Sequence, residues 1–409
     1  MRTIVMMLAL ACNVGAFTLV GVLAPATAQA ETFSAAVGKP LQAAQEAIKK
    51  KKWADAIAEI KKAQAAPNKT AFEEYTINEL LGYALWQSGD TAGAARAYEQ
   101  NLNSGQTPPN ELPTRVKTLA QLNARAKNLP KAIEYGNRWI KASPNDTDAY
   151  YLVAQSHYQQ KDCKNTVRVM QNGIEAARRN GKPIQENWLS MKLYCQDALK
   201  DKDGLSETRE QLVRNFPSRD NWESLLATVY NDPDNDDLTT LGYYRLMFDL
   251  DVLEKPSDYF EMAQIAIENG VPGEAVTVME KGFANKVLDN KDKDRHTRLL
   301  NNAKTQAQTN KSALPNLEKE ARAARTGEAD VGVGMAYLSY GQYDKAVEAL
   351  QRGLQKGANK RTAEAQIMLG RAYLKLNQKD AARRAFKAVP DDSKLGRVAE
   401  LYDLHAAQS

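Results

Sequence analysis

Histidines, acid-rich loops and cysteines are the residues of this chain whose chemistry could support catalysis or metal binding. His157, His296 and His405 lie far apart in the sequence. The chain contains no GxSxG, HExxH, Walker or CxxC motif, so no histidine or cysteine falls in a recognised catalytic or metal-binding pattern. We interpret His157 as a core residue. The sequence predicts no catalytic residue, no metal site and no cofactor, so we expect a protein that is not an enzyme.

Two acid-rich loops resemble calcium-binding loops only in part. The segment Asp232–Asp237 has carboxylates at alternate positions, as an EF-hand loop does. It has no glycine at the sixth position, and Tyr243 stands where the loop needs a glutamate. The segment 290–294 departs from the pattern in a similar way. We interpret both as turns, in which Asp and Asn side chains bond the local backbone.

The first thirty residues have the layout of a secretory signal peptide. Arg2 precedes a long apolar stretch, and the small-residue triplet Ala28-Gln29-Ala30 precedes Glu31. We expect cleavage after Ala30, which makes the mature protein periplasmic. An uncleaved signal anchor is one alternative. Lipidation at Cys12, which lies in a poor match to a lipobox, is another.

The distribution of charged and apolar residues argues against two classes of protein. Hydrophobic residues make up 43% of the 409 residues, charged residues 26%, and the formal net charge is +5. A nucleic-acid binder usually concentrates basic residues on one face, and this chain does not, so we expect no nucleic-acid partner. No segment after the signal peptide has about 18 consecutive apolar residues, so we expect no transmembrane span in the mature chain. The oligomeric state is not indicated.

A spacing of small and large residues recurs along the chain. A small residue is followed three positions later by an apolar or aromatic one, twelve positions later by alanine, and sixteen positions later by a large residue in most units. The best-defined units start at Gly334 and Gly370. Two helices can cross closely only where side chains are small, so we expect Gly334 and Ala346 at a crossing and Gly341 in the turn between the helices.

This spacing resembles that of the tetratricopeptide repeat (TPR) family, whose units of about 34 residues are helix–turn–helix pairs. Pro144 and Pro217 lie where such a unit often has its proline. The resemblance covers most of the mature chain. It implies an all-α fold, a TPR-type α-solenoid of antiparallel helix pairs that ends in a C-terminal capping helix near 394–406.

The quality of the repeats suggests a division of the chain. We predict a cleaved signal peptide at 1–30, an N-terminal TPR array at 31–184, degenerate TPR-like helical pairs at 185–326, and a C-terminal TPR pair with the capping helix at 327–409. Within the degenerate region, we predict one helical pair in each of the segments 185–217, 219–252 and 293–326.

The resemblance also implies a binding surface. In TPR proteins, side chains of the first helix of each pair line a concave groove. Aromatic rings supply contact area for an extended peptide, and amides can pair with its backbone. Carried over unit by unit, the groove residues are Tyr83, Trp86, Gln121, Arg125, Tyr151, Gln155, Tyr158, Gln159, Phe260, Gln264, Arg371 and Lys375.

Two cysteines remain after the signal peptide, and an exported chain meets an oxidising compartment. Cys163 begins the second helix of one predicted unit, and Cys195 lies near the end of the first helix of the next. Because neighbouring helices run antiparallel, these two ends lie side by side. We predict a Cys163–Cys195 disulfide, with two buried thiols as the alternative.

Together these observations predict a non-enzymatic periplasmic scaffold. It would bind a protein or peptide partner that belongs to a cell-envelope machine, and it would do so through the concave groove. The alternative is a glycan- or peptidoglycan-binding envelope protein that uses the same aromatic surface.

Overall fold

A computed structural model describes residues 32–289, 291–390 and 392–408. The predicted signal peptide and Cys12 lie outside these residues. The described part contains twenty α-helices, the 3-10 turn Asn359–Arg361 and no β-strand. No helix in that part is both long enough and apolar enough to cross a bilayer. The predicted all-α class is confirmed.

The chain divides into two compact units, the first ending at Ala142 and the second beginning at Ser143. The predicted boundaries at 184/185 and 326/327 stay predictions. The first unit consists of three helix pairs, and the two helices of each pair pack against each other. The pairs are Ala35–Lys49 with Trp53–Gln64 (α1, α2), Ala71–Ser88 with Thr91–Ser104 (α3, α4), and Leu112–Arg125 with Leu129–Ala142 (α5, α6).

The second unit continues the pairing and adds two single helices. Its elements are Thr147–Gln159 and Cys163–Arg179 (α7, α8), Glu186–Leu199 and Lys202–Asn215 (α9, α10), Arg219–Leu226 and Asp237–Asp249 (α11, α12), Pro256–Glu268 and Pro272–Ala284 (α13, α14), Lys293–Ala323 (α15), Glu328–Ser339 and Tyr343–Lys356 (α16, α17), Thr362–Lys375 and Lys379–Lys387 (α18, α19), and Gly396–Gln408 (α20).

Local sequence determines where many of these pairs turn. In many pairs, a residue with a left-handed backbone conformation follows the first helix, as Gly89 does with φ of 95°. The next residue is often an aspartate that caps the second helix. The Asp90 carboxylate, for example, accepts a hydrogen bond from the backbone N–H of Gly93 at 2.7 Å. Gly341 has φ of 73° and confirms the predicted turn between α16 and α17.

The glycine inside α16 marks a close helix crossing, as its spacing predicted. A Cβ atom placed on Gly334 would lie 2.6 Å from Cγ of Leu350 on α17, which is too close for any side chain. Ala346 is fully buried in the same helix pair. The residue directly opposite Gly334 is therefore the large Leu350, one turn further along α17 than Ala346.

The prediction of a helical pair at 293–326 is wrong, because this segment forms the single 31-residue helix α15. The helix continues through Pro315, although a proline inside a helix costs about 3 kcal/mol. Packing on both sides of the proline offsets this cost. Ala303 is buried in the first half of α15, and Leu314 and Ala321 are buried in the second half. The first half packs on α14 and the second half on α16.

The C-terminal helix α20 confirms the predicted capping helix and also packs back onto earlier helices of the second unit. It contacts α19, the preceding helix, and α12. Arg397 of α20 donates to Glu210 of α10 at 2.7 Å, and Gln408 donates to the backbone oxygen of Val213 at 2.7 Å. Both contacts join residues almost 200 positions apart, and both connect α20 to α10.

Candidate partner-binding surfaces

The predicted groove residues Arg371 and Lys375 line a cavity of about 390 Å³ in the second unit. We call it the C-terminal cavity. Its walls come from α12, α14, α16 and α18, and they include apolar side chains such as Met335, Leu338 and Met368. These helices place charged and apolar groups at one concave site.

A network of buried ion pairs occupies one wall of this cavity. Arg245 donates to both oxygens of the Glu274 carboxylate at 2.6–3.0 Å. Arg371 donates to Asp249 at 2.9 Å and to Glu274 at 3.1 Å. Lys375 donates to the other oxygen of Asp249 at 3.0 Å. The network therefore joins two arginines and two carboxylates from α12, α14 and α18, and Lys375 lies at its edge.

Charge pairing keeps the carboxylates of this network ionised. Burial alone would raise the pKa of Asp249, but the charges of Arg371 and Lys375 hold that pKa well below its usual range. The pKa of Glu274 is lowered in the same way, with burial opposed by Arg245 and Arg371. Arg371 is 7% exposed, so its contacts give it an internal role in joining helices, whereas Lys375 lies at the exposed edge.

A second candidate surface lies on α7 and α9, where aromatic and amide side chains are exposed or half-buried. We call it the tyrosine face. It contains the predicted groove residues of α7 and two residues of α9: Tyr151, Gln155, Tyr158, Gln159, Asn187 and Tyr194.

Ring contacts fix the geometry of the tyrosine face. The rings of Tyr158 and Tyr194 meet edge to face, with centroids 5.4 Å apart. The ring of Tyr151 stacks on Trp188 at 6.3 Å, and its hydroxyl accepts a hydrogen bond from the Asn187 amide at 3.2 Å. Tyr194 is 61% exposed. The face therefore offers the Tyr194 ring to solvent, with two half-buried tyrosine rings beside it on the same surface.

Sequence reasoning missed Asn187 and Tyr194, although the signal was present. Each lies 36 residues after a predicted groove residue, Tyr151 and Tyr158 respectively. That interval is the one that relates Gly334 to Gly370. The unit at 185–217 lacks the small-residue signature from which groove positions are predicted.

The other predicted groove residues are distributed between the two units. In the first unit, the ring of Tyr83 contacts that of Trp53 at 6.1 Å, Trp86 and Gln121 are half-buried, and Arg125 is exposed. In the second unit, α15 covers Phe260, because the Arg295 guanidinium lies 4.0 Å from its ring centroid. Gln264 is exposed and donates to Glu268 at 3.2 Å.

The histidines have separate structural partners. His157 lies 3.1 Å from Asp162, which caps α8. His296 is buried with its Nδ1 atom 3.1 Å from the backbone oxygen of Leu288. His405 packs against the Trp222 ring, and burial lowers its pKa. The structure does not bring the three residues together.

Cys163 and Cys195 lie next to each other but are free thiols in this structure. Cys163, at the start of α8, is half-buried, and Cys195 on α9 is fully buried. Burial, together with a hydrogen bond to Cys163, raises the pKa of Cys195 to about 12. The two residues also neighbour Tyr158, whose pKa burial and these groups raise. The disulfide itself stays a prediction.

We expect oxidised glutathione to join these cysteines in the reduced mature chain. The more accessible Cys163 should form the mixed disulfide first, and Cys195 should then displace glutathione to close the bond. Thiol titration and intact-mass spectrometry follow both steps. Cys163→Ser, the matched control, should keep the Cys195 thiol. A stable glutathione adduct on Cys163 beside a reduced Cys195 would contradict the prediction.

Comparisons with known proteins agree with the helix pairs. A family model described as tetratricopeptide repeat matches residues 41–108, and another with the same description matches residues 337–406. The chain therefore carries tetratricopeptide repeats in both segments. Repeats of this family form scaffolds for protein–protein interaction, and the family is generally non-catalytic.

The chain is also similar to solved structures of low sequence identity. A tetratricopeptide repeat protein from Parabacteroides merdae is 13% identical, with 66% of this chain and 99% of that chain covered and a TM-score of 0.33. MamA from Desulfovibrio magneticus is 14% identical, with 44% and 96% covered and a TM-score of 0.31. The TPR2AB domain of yeast Sti1, in its pHSP90 complex, is 12% identical, with 73% and 100% covered and a TM-score of 0.25. A search of the curated proteins found no match.

Proposed function

We propose that this protein is a non-enzymatic scaffold of the bacterial cell envelope that binds an extended segment of a protein partner on the tyrosine face. The observation that carries the proposal is the exposed ring of Tyr194, which meets the Tyr158 ring edge to face on a surface that also carries the amides of Gln155 and Asn187. Rigid aromatic rings give contact area at a low entropy cost, and amides can pair with a peptide backbone.

The envelope location is supported by the first thirty residues. Their apolar stretch and the Ala28-Gln29-Ala30 triplet have the pattern of an export signal. The proposed partner is therefore a component of an envelope machine that meets this protein in the periplasm. Glycan or peptidoglycan binding is the second candidate, because exposed tyrosine rings also stack on sugar rings.

Photocrosslinking in living cells tests the proposal. A photoreactive residue replaces Tyr158 or Tyr194 on the tyrosine face, or Trp86 in the first unit. Control probes replace the exposed residues Lys50 and Arg179. We expect one dominant protein adduct at the tyrosine face and none at the controls. Adducts to glycan alone would favour the second candidate, and equal labelling at face and control sites would refute both.

Once the partner is known, Tyr194→Ala should weaken binding by at least about tenfold, because an ordered aromatic ring at an interface is typically worth about 2 kcal/mol or more. Calorimetric titration of the purified proteins measures this loss. Leu199→Ala is the matched control. Leu199 is exposed on the same helix, but five residues beyond Tyr194 it points about 140° away. Equal losses in both variants would contradict a role for the tyrosine face.

A further inference from the structure

A polar cavity of about 400 Å³ lies in the first unit, where the end of α2, the first half of α3 and the end of α4 meet. We call it the N-terminal cavity. Five of its lining residues carry carboxamides: Gln64, Asn78, Gln100, Asn101 and Gln106. None of these residues belongs to the predicted groove. Gln64, Gln100 and Gln106 are exposed, Asn78 is half-buried and Asn101 is buried.

Asn101, one of the lining residues, has a buried hydrogen-bond acceptor without a partner among the described residues. Its side chain is 1% exposed, and its amide nitrogen donates to the Tyr75 backbone oxygen at 2.9 Å and to the Glu79 carboxylate at 2.8 Å. Both partners can only accept, so the amide orientation is fixed. The Oδ1 atom is buried and has no hydrogen-bond partner. Leaving such an atom unpaired costs about 1–3 kcal/mol, and a ligand hydroxyl that reached it would recover that cost.

The charge of the cavity excludes ionic ligands. Its charged lining residues are Lys69 and Glu74, one of each sign. Lys69 already donates to the backbone oxygen of Ala66 at 2.7 Å. A phosphate or a polycation would meet no excess of opposite charge here. The ligand that fits is neutral and rich in groups that both donate and accept hydrogen bonds.

We propose that the N-terminal cavity binds a neutral saccharide. The carboxamides of Gln64, Asn78, Gln100 and Gln106 can each donate and accept, which matches the paired hydroxyl groups of a sugar ring. Tyr75 adds a half-buried aromatic ring to the wall. Ala71 and Ile77 are the apolar side chains of the lining, so an extended peptide would find little surface for an apolar anchor. The cavity lies within the usual volume range of small-ligand sites.

The proposal is independent of partner binding on the tyrosine face, because the cavity lies entirely within the first unit. Loss of sugar binding would leave the photocrosslinking result unchanged. Absence of a protein adduct at Tyr194 would likewise leave this cavity intact. The two proposals can therefore fail separately.

Saturation-transfer NMR and calorimetric titration of the purified mature chain test the proposal. The probes are maltose, cellobiose and diacetylchitobiose, with capped tetra-alanine representing a peptide. We expect at least one sugar to bind, and Asn78→Leu to weaken that binding by at least about tenfold, as loss of one good hydrogen bond predicts. Asn78 is half-buried and leucine has a similar shape, so the helix should persist.

Gln87→Leu is the matched control, since Gln87 is an exposed amide on the same helix outside the cavity. It should bind sugar as the unaltered chain does. Binding of the peptide in place of sugar would overturn the proposal, as would equal sugar affinity in the Asn78→Leu variant. No binding of any probe up to its solubility limit would also overturn it.

Discussion

Replacing Asp249 by asparagine is expected to lower the free energy of unfolding of the second unit by about 3–5 kcal/mol. The Asp249 carboxylate accepts hydrogen bonds from Arg371 at 2.9 Å, from Lys375 at 3.0 Å and from the Tyr402 hydroxyl at 3.1 Å. Asparagine keeps the shape but removes the charge. Arg371 would then stay buried with Glu274 as its remaining carboxylate partner, and an incompletely paired buried charge is strongly destabilising.

The pH dependence of this loss follows from the pKa of Asp249. Pairing holds the pKa in the folded chain below the value of about 4 that an unfolded aspartate has. The folded state therefore binds fewer protons, and Asp249 contributes its full stability above about pH 4. That contribution falls as the pH drops through the folded pKa. We expect the difference between the two proteins to be constant near neutral pH and to shrink in acid.

Urea denaturation at several pH values measures both effects. Asp251→Asn is the matched control, because Asp251 lies two residues away and pairs with Lys281 at 2.7 Å, but its side chain is 67% exposed. Exposed ion pairs contribute about 0–1 kcal/mol, so this variant should change stability little. If both variants lost the same stability, the buried network would not hold α12, α18 and α20 together.

These contacts show which parts of the fold could be read from the sequence. The crossing at Gly334 was predictable, because both of its helices lie within one repeat and their contacts recur with the period of the sequence. The ion pair of Arg371 with Asp249 was not. It joins residues 122 positions apart in different repeats, and no local spacing specifies it.

The same distinction applies to the candidate surfaces. The groove positions on α7 were assigned from their place in a well-formed repeat, and the structure places them beside the tyrosine of α9. Phe260 was assigned in the same way, but α15 covers its ring. The covering residue Arg295 belongs to α15, which is one continuous helix where the sequence predicted a helical pair. The N-terminal cavity had no sequence signal, because its amides come from three helices and the loop after α4 without regular spacing.

Gly327→Ala is expected to destabilise the second unit by about 3 kcal/mol, the upper end of the usual cost of overpacking. Gly327 precedes α16, and its φ of −84° is open to any residue, so its backbone conformation does not require glycine. Space does. A Cβ atom there would overlap the backbone carbonyl group of Gly353 on α17. A backbone cannot change rotamer to give way, and Gly327 is also tied to Gly357 by a 3.0 Å backbone hydrogen bond.

Gly332→Ala, in the helix that follows, should have the opposite effect. A Cβ atom on Gly332 would lie 3.6 Å from Nη1 of Arg361, an ordinary contact. Alanine favours a helix over glycine by about 1 kcal/mol, so this variant should be slightly more stable than the unaltered chain. Thermal and urea denaturation compare the three proteins. Equal stability of the two variants would mean that α16 and α17 do not approach closely at Gly327. A loss at Gly327 well above the cost of about 1 kcal/mol for replacing a helix-capping residue by alanine would show that glycine here serves the close approach of two backbones.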